Sequence, residues 1–365
     1  MILTLVILIA TLAIGTYIFM QGKQFGKIPS GKRLERILKS PHYKDGKFQN
    51  LNPTPQLAED TSMPKVLYNF FFSKVENATP KKKFHFTKTD LKNLDPKENF
   101  YVWMGHSSYF LQIDGKKILV DPVFSGSVSP LKFTNKAFDG TDIYTTEDIP
   151  ELDYLVITHD HWDHLDYETV TKLRPKVKQV ITGLGTGAHL ESWDFEPSKI
   201  VELDWFESQD LGNGFKINAE PARHFSGRGF KRDQAIWASF VLETPNSKIY
   251  IGGDSGYDNH FKKIGDKYGK IDLAILETGQ YNPAWKYIHM LPGEQLQAMK
   301  DLNAQRMIAV HNSKFKLALH SWHEPMEKLH ELNKEKLRVI TPKIGEKVFW
   351  QDDNKIYPKW WEEYQ

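Results

Sequence analysis

The sequence contains no cysteine among its 365 residues. Disulfide bonds and thiolate metal ligands are therefore excluded, and any metal ion must be bound by histidine, aspartate or glutamate. An excess of one charge is also absent, because 48 lysines and arginines oppose 46 acidic residues and leave a net charge of +2. This balance gives no support for nucleic-acid binding, so we expect no nucleic-acid partner and disfavour a nuclease.

Long apolar runs are lacking except at the N-terminus, where residues 2–20 (ILTLVILIATLAIGTYIFM) carry no charge. As a helix, this run nearly crosses a hydrocarbon core of about 30 Å, which favours an uncleaved membrane anchor. A cleaved signal peptide is the alternative, but it would have basic residues before the apolar run and a better cleavage site than Ala13-x-Gly15. By the positive-inside rule, the basic residues that follow predict a single-pass protein with a cytoplasmic catalytic domain: Lys23, Lys27, Lys32, Arg33, Arg36 and Lys39.

The chain divides by composition into four parts. We predict a transmembrane anchor over residues 1–22, a basic linker and packed arm over 23–98, an α/β catalytic domain over 99–350, and an aromatic tail over 351–365. Short β-branched segments at 152–158, 247–253, 271–277 and 305–311 are typical of buried strands. Within the arm, the aromatic run 67–72 and the lysines at 81–83 have two interpretations. In the first, they contact lipid. In the second, which is favoured, the aromatic run packs the arm onto the catalytic body.

Coordinating side chains are concentrated directly behind the strand-like segment 152–158, in the sequence THDHWDHL. The loop offers His159, His161, Asp163 and His164, with the last two expected at the start of the next helix. So many ligands in one loop indicate a scaffold for two metal ions. Asp160 is expected to point away from the metals as a surface or capping acid.

Two metal ions need more ligands than one loop supplies, so further ligands are expected at the ends of other strands. His224, Asp254 and His311 each follow a strand-like segment, and Asp254 lies in a glycine-flanked turn where the backbone can approach a metal closely. Together with the loop they make a set of seven candidate ligands.

The order of these residues resembles the metallo-β-lactamase superfamily. Longer segments are similar to the family of N-acyl-phosphatidylethanolamine-hydrolysing phospholipase D and its bacterial relatives, and more distantly to ascorbate-6-phosphate lactonases. The similarity runs over residues 98–350 and is carried by WMGHSSYFLQIDGKKILVDPVFS, ITHDHWDHLDYETV, VELDWFE, ARHFSGRGFKRDQAIWASFVL, GGDSGYDNHFKKIGDKYGKIDLAIL and YIHMLPGEQLQAM. The resemblance implies an αββα four-layer sandwich with a dinuclear site at the sheet edge.

The resemblance also implies roles for the ligands. One metal would be bound by His159, His161 and His224, the other by Asp163, His164 and His311, and Asp254 would bridge them. A hydroxide shared by the two cations would be the nucleophile. Zinc is favoured for a histidine-rich site, with manganese or iron as alternatives. The implied reaction is hydrolysis of a phosphodiester in a lipid or small substrate. A lactonase or carboxylic-ester hydrolase and a non-enzymatic metal-binding membrane protein are the alternatives.

Four further residues match positions near the site in these relatives. Asp121 would orient a metal-binding histidine through its ring N–H. His106 and His289 would hydrogen-bond the anionic group or the leaving oxygen of the substrate, with His289 counted among the catalytic residues beside Asp163 and Asp254. Arg228 would bind phosphate or lie on the surface as an ordinary arginine. The oligomeric state is left open.

Overall fold

The computed structural model describes residues 1–365, except for the side chain of Phe71. The chain begins with helix α1 (Ile2–Met20), which is long and apolar enough to cross a membrane and has no buried residue among those described. A signal sequence would satisfy the same criteria. Next comes an arm that contains α2 (Gly31–Ile37), the short hairpin of β1 (Tyr43–Lys44) and β2 (Lys47–Phe48), and α3 (Met63–Phe72).

Two seven-stranded mixed sheets form the body of the protein. The first has the order β16-β3-β4-β5-β6-β7-β8 and comprises β3 (Phe100–Trp103), β4 (Tyr109–Ile113), β5 (Lys116–Val120), β6 (Leu152–Ile157), β7 (Val177–Gly183), β8 (Ile200–Leu203) and β16 (Lys347–Val348). The second has the order β15-β14-β13-β12-β11-β10-β9 and comprises β9 (Ser208–Gly212), β10 (Phe215–Pro221), β11 (Ala238–Glu243), β12 (Lys248–Ile251), β13 (Leu273–Glu277), β14 (Met307–Val310) and β15 (Val339–Ile340).

Helices cover the outer faces of the two sheets, which makes the expected αββα sandwich and confirms the predicted fold class. They are α4 (Tyr167–Leu173), α5 (Gly187–Ser192), α6 (His260–Tyr268), α7 (Glu294–Asp301) and α8 (Glu324–Leu332). Buried residues of both sheets belong to one large hydrophobic cluster, and a second cluster joins the outer face of the first sheet to α4 and α5. Such burial of apolar area is the main stabilising contribution.

Strands β5 to β8 run parallel to one another, as do β12 to β15, so their carboxyl ends meet at one edge of each sheet. Ligands of α/β proteins collect at such edges. The predicted hairpin between β4 and β5 is present, with Asp114 (φ 46°) and Gly115 (φ 77°) both in the left-handed region that a type I′ turn requires.

The arm and the C-terminal tail both pack against this body. Phe48 and Phe84 of the arm are buried in the main core, as are Trp360 and Trp361 near the C-terminus. The aromatic tail therefore contributes to the hydrophobic core. The proposed division of the chain into four parts stays a prediction.

Candidate metal centre

The loop of residues 159–164 leaves the carboxyl end of β6 and makes a tight turn. The backbone N–H groups of His164 and Leu165 both donate to the carbonyl of His161, at 3.1 and 2.8 Å. Helix α4 begins only at Tyr167, and the side chain of Asp166 caps it by accepting from the N–H of Glu168. The expectation that Asp163 and His164 open this helix was wrong. They lie in the turn itself, and Leu165 and Asp166 separate them from the helix.

Three histidines form the first half of the centre. Nδ1 of His161 lies 3.0 Å from Nε2 of His159 and 3.1 Å from Nε2 of His224. The position of His224 is held from two sides, because its Nδ1–H donates to the Ile288 carbonyl at 2.9 Å and Asn50 of the arm hydrogen-bonds its backbone N–H and C=O. The arm therefore helps to build the site.

The second half contains Asp163, His164 and His311. Together with His106, these residues offer ligand atoms that all lie within 4.8 Å of one another. Oδ2 of Asp163 is 3.6 Å from Nε2 of His164. The side-chain hydroxyl of Ser107 lies 2.9 Å from Nδ1 of His311, which limits rotation of that ring.

Asp254 lies between the two halves. Its Oδ2 is 3.1 Å from Nε2 of His164 and 3.8 Å from Nε2 of both His159 and His224, and its Oδ1 is 3.1 Å from Nδ1 of His311. The turn that carries it requires glycine at Gly253, where φ is +61° and an added Cβ would lie 2.9 Å from the side chain of Thr158. The structure thus brings all seven candidate ligands together.

The chemistry of these side chains fits two divalent metal ions. Nε2 of His164 and Oδ1 of Asp254 are buried and have no hydrogen-bond partner among the described residues. Burial without a partner is costly unless another group, such as a metal ion, takes the lone pair. Burial also lowers the pKa of His159, His224 and His311 well below the usual histidine value. These imidazoles are therefore neutral at pH 7, which is the form that binds metals.

Asp121 occupies the place that the sequence indicated for an orienting acid. Its Oδ2 lies 2.8 Å from Nδ1 of His164, and it also accepts hydrogen bonds from the hydroxyl and the backbone N–H of Thr158. With Nδ1 donating to this carboxylate, Nε2 of His164 is directed toward Asp254. Such carboxylate–histidine pairs fix the tautomer of a metal-binding ring.

Arg228 lines the larger cavity of the centre, but it does not lie on the surface as an ordinary arginine would. It is 4% exposed, stacks on Trp162 at 3.9 Å, and donates to the carbonyls of Gln24, Asp160 and Leu165. Burial lowers its pKa to about 10, so it stays charged at neutral pH. Its guanidinium N–H groups bind backbone and brace the 159–164 loop against the segment that follows α1.

His106 and Asp160 also differ from expectation. His106 is fully buried and its Nε2 lies 2.8 Å from Oδ2 of Asp163, so it orients that carboxylate and does not face a substrate. Asp160 points away from the centre as expected, but it is buried and not on the surface. One oxygen accepts from the N–H of Gly227 and the other lies 3.2 Å from Nε2 of His189.

Glu277 is a residue that the sequence analysis missed. It ends β13 at the same sheet edge, is 1% exposed, and its Oε2 lies 2.7 Å from Nδ1 of His289. Burial raises the pKa of Glu277 well above its usual value and lowers the pKa of His289, so burial favours the uncharged form of both groups. A charged residue at the end of an otherwise apolar strand was the available signal.

Two connected cavities open from the centre. One, of about 270 Å³, has a mainly apolar wall that includes Leu57, Met63, Val66, Trp285, Ile288 and Leu317. The other, of about 530 Å³, extends to the end of α1 and is lined by Thr16, Phe19, Met20 and Phe230, among others. His161, Asp163, Phe225 and Arg232 line both cavities. Arg232 is therefore a cation at the mouth of the centre that the sequence analysis did not identify.

Known proteins share these features. The family of the beta-lactamase superfamily domain matches residues 116–312. A protein of Mycobacterium tuberculosis is 35% identical over 327 residues, which cover 88% of this chain and 87% of the relative. The N-acyl-phosphatidylethanolamine-hydrolyzing phospholipase D 1 of Caenorhabditis elegans is 32% identical over 246 residues, covering 64% of this chain and 69% of the relative.

Among solved structures, Igni18, a metallo hydrolase of Ignicoccus hospitalis, is similar with a TM-score of 0.54 over 68% of this chain and 97% of that chain. Its sequence identity of 20% makes this a likeness of fold alone. The family match, by contrast, spans more than half of the chain, from β5 through the candidate metal loop to the residue after His311. The chain thus belongs to the metallo-β-lactamase superfamily and is a metal-dependent hydrolase.

Proposed function

We propose that this protein is a membrane-anchored dinuclear metallohydrolase that cleaves a phosphodiester of a phospholipid in the manner of phospholipase D. The ligands are His159, His161 and His224 for one metal, Asp163, His164 and His311 for the other, and Asp254 between them. α1 anchors the chain as a single span, and the basic residues after it favour a cytoplasmic catalytic domain.

The observation that carries the proposal is the continuity between the candidate centre and α1. The larger cavity reaches from His161 and Asp163 to Phe19 and Met20 at the end of the apolar helix. A lipid in the membrane that holds α1 would find the centre beside it. The adjoining cavity offers an apolar wall for an acyl chain, including Met63 and Val66 of α3.

Each part of the site has a role in this reaction. When bound, two divalent metal ions lower the pKa of a water molecule and neutralise charge that develops on the phosphodiester. Arg232 supplies a further positive charge at the mouth of the cavity. His289 is the general acid, because Glu277 holds its Nδ1 and leaves Nε2 to donate a proton to the departing oxygen.

The name of one relative supports cleavage of a phosphodiester bond. The Caenorhabditis elegans protein is called an N-acyl-phosphatidylethanolamine-hydrolyzing phospholipase D, and its alignment covers about two thirds of both chains. We extend this substrate class to the present chain. Zinc is the favoured metal because a set of five histidines and two aspartates suits it, and manganese and iron, which accept similar ligands, are the alternatives.

Hydrolysis in ¹⁸O-labelled water tests the proposal. The full chain, in micelles with zinc, is given N-acyl-phosphatidylethanolamine, phosphatidylethanolamine and a lipophilic lactone in separate reactions. We expect phosphatidic acid carrying ¹⁸O in its phosphate group, since water then replaces the alcohol at phosphorus. Mass spectrometry of the products identifies the bond that is cleaved.

An Asp254→Asn variant is the control for contaminating hydrolases. Release of fatty acid without labelled phosphatidic acid would mean that the carbonyl is attacked. Turnover of the lactone alone would favour the lactonase alternative. Either result contradicts the proposed phosphodiester hydrolysis.

A further inference from the structure

A second, strongly basic cleft lies near the C-terminal end of α3, where Phe70 lines it. It has a volume of about 560 Å³, and its walls carry five lysines against one acid, Asp139. The lysines are Lys81, Lys82, Lys83, Lys136 and Lys316. Lys82 donates to the carbonyl of Glu363, whereas the other four have no ion pair in the part of the chain that the structure describes.

The lysine-bearing walls of the cleft are tied together through the backbone. The N–H of Phe84, next to Lys83, donates to the carbonyl of Asp139 at 2.9 Å. The N–H of Phe138 donates to the carbonyl of Lys314 at 2.8 Å and joins the segment of Lys136 to that of Lys316. Four like charges are thus held near one another by the fold, which is unfavourable until an anion neutralises them.

Helix α3 runs along both the cleft and the cavity of the metal centre. Met63, Val66 and Phe70 follow one face of the helix at helical spacing, with the first two at the metal-centre cavity and the third at the cleft. Leu317 faces that cavity and the adjacent Lys316 faces the cleft. An occupant of the cleft would therefore lie close to a substrate of the centre.

The same helix presents apolar side chains to solvent. Tyr68 is 64% exposed and Phe72 is 70% exposed, and Leu67 is exposed as well. Basic residues beside exposed aromatic and aliphatic side chains are typical of helices that lie in a membrane interface. Free phosphate would explain the lysines but not the exposed aromatic rings beside them.

We propose that this cleft binds the phosphate headgroup of an anionic lipid in the membrane that holds α1. Lys81, Lys83, Lys136 and Lys316 contact the headgroup, while the exposed face of α3 enters the interface. The bound lipid fixes α3 against the membrane and so positions the mouth of the metal centre. This inference rests on the proposed membrane location, but not on the proposed reaction.

The absence of cysteine permits a probe at a single position. Thr79 is exposed and lines the cleft, so Thr79→Cys is labelled with an environment-sensitive fluorophore in the full, zinc-loaded chain in neutral micelles. Phosphatidic acid is the titrant, because its phosphomonoester offers no diester for the proposed reaction to cleave. Phosphatidylcholine and inorganic phosphate are titrated separately. A Ser198→Cys variant with the same label is the control, because this position is exposed and outside the cleft and so reports effects on the protein as a whole.

We expect a saturable signal from the label at position 79 with phosphatidic acid, and little from the label at position 198. In a K81Q/K83Q/K136Q/K316Q variant, the apparent affinity should fall by at least about tenfold, because each lysine near an anionic surface contributes to binding. A K172Q/K216Q/K263Q/K334Q variant has the same net charge, alters exposed lysines outside the cleft, and should change affinity less than about twofold.

Several results would overturn the inference. These are equal signals with phosphatidylcholine, equal losses in the two quadruple variants, or an unchanged affinity in the cleft variant. The same response to inorganic phosphate at matched concentration would identify a site for soluble anions. Thermal melting checks the fold of each variant, and K81Q/K83Q replaces the quadruple variant if that one melts early. Because phosphatidic acid binding is read at position 79, failure of this inference is distinct from failure to hydrolyse a phosphodiester.

Discussion

Within 4 Å of the Asp254 carboxylate lie ring nitrogens of four histidines: His159, His164, His224 and His311. Burial raises its pKa to about 6, so this carboxyl group would be partly protonated near neutral pH without a cation beside it. A residue in this position connects both halves of the centre. Replacement of Asp254 should therefore weaken metal binding, and loss of hydrolysis should follow from that.

Asp254→Asn should remove the stabilisation by zinc and lower hydrolysis by at least about a hundredfold, because a neutral amide cannot bridge two cations. Binding of metal to the folded state alone raises the melting temperature of the wild type. The variant should show little rise on zinc addition and reduced zinc content by elemental analysis. Asp266→Asn, on the exposed face of α6, is the matched control. A variant with wild-type zinc content and activity would rule out the dinuclear arrangement.

His289 and Glu277 should act as a unit in turnover without holding the metals. His289→Gln and Glu277→Gln should each lower kcat by about 10²–10⁴, the usual contribution of a general acid, and leave zinc content unchanged. Wild-type activity should fall as the pH rises through the pKa of the pair, since the acid must be protonated. This fall should vanish in His289→Gln.

The pH profile decides between this role and a structural one. His85→Gln, at an exposed position, serves as the control for the loss of a ring. A His289→Gln variant that keeps the wild-type profile at high pH, or that loses zinc, would show that His289 is not the acid.

Among the elements of the arm, α3 lines the cavity of the candidate centre. Met63 and Val66 face the cavity, while Tyr68 and Phe72 are exposed. Both interpretations of the aromatic run, packing of the arm onto the body and contact with lipid, stay predictions.

A Met63→Ser/Val66→Ser variant should lower kcat/KM for a long-chain phospholipid by about tenfold or more, because each apolar contact with an acyl chain contributes roughly 1 kcal/mol. Its rate with bis-p-nitrophenyl phosphate, which has no acyl chain, should stay close to that of the wild type. Rates with both substrates are measured in the same micelles. Lys65→Ser, at an exposed position of α3, is the control. Equal losses on the two substrates would exclude an acyl-binding role for this wall.

Helix α1 is connected to the candidate centre through the residues that follow it. Arg228 joins the Gln24 carbonyl to the 159–164 loop, and the Lys27 N–H donates to Nδ1 of His189, whose Nε2 is near Asp160. Phe25 also packs on Trp162 in an edge-to-face contact at 5.2 Å. Residues 23–27 therefore hold the end of α1 in a defined place beside the loop.

Deletion of residues 1–22 should give a soluble enzyme, because α1 buries no described residue and the contacts of residues 23–27 are kept. It should hydrolyse bis-p-nitrophenyl phosphate at close to the full-length rate, since all candidate ligands follow residue 158. On vesicle-bound lipid it should be clearly slower at equal concentration, because tethering raises the effective concentration of enzyme at the surface. Equal rates on lipid, with the truncated protein absent from the vesicle pellet, would contradict a role for the anchor in reaching a lipid substrate.

The seven candidate ligands could be proposed from the sequence because each follows a short apolar segment that makes a strand, and strand ends are local features. The 159–164 loop was the strongest signal, since its residues are neighbours in the chain. For the same reason, the fold class and the superfamily were predicted correctly from segments that are contiguous in sequence.

The environment of a side chain, and its partners from distant parts of the chain, could be found only from the tertiary structure. Arg228 and Arg232 are only four positions apart and line the same cavity, yet Arg228 is buried against backbone carbonyls and Arg232 is exposed. Glu277 at the end of β13 lies beside His289 because the loop after β13 folds back onto the sheet edge. The cleft lysines come from three separate segments of the chain. Residue type and local periodicity determine which groups are available to a site, whereas packing between distant segments determines which of them face it.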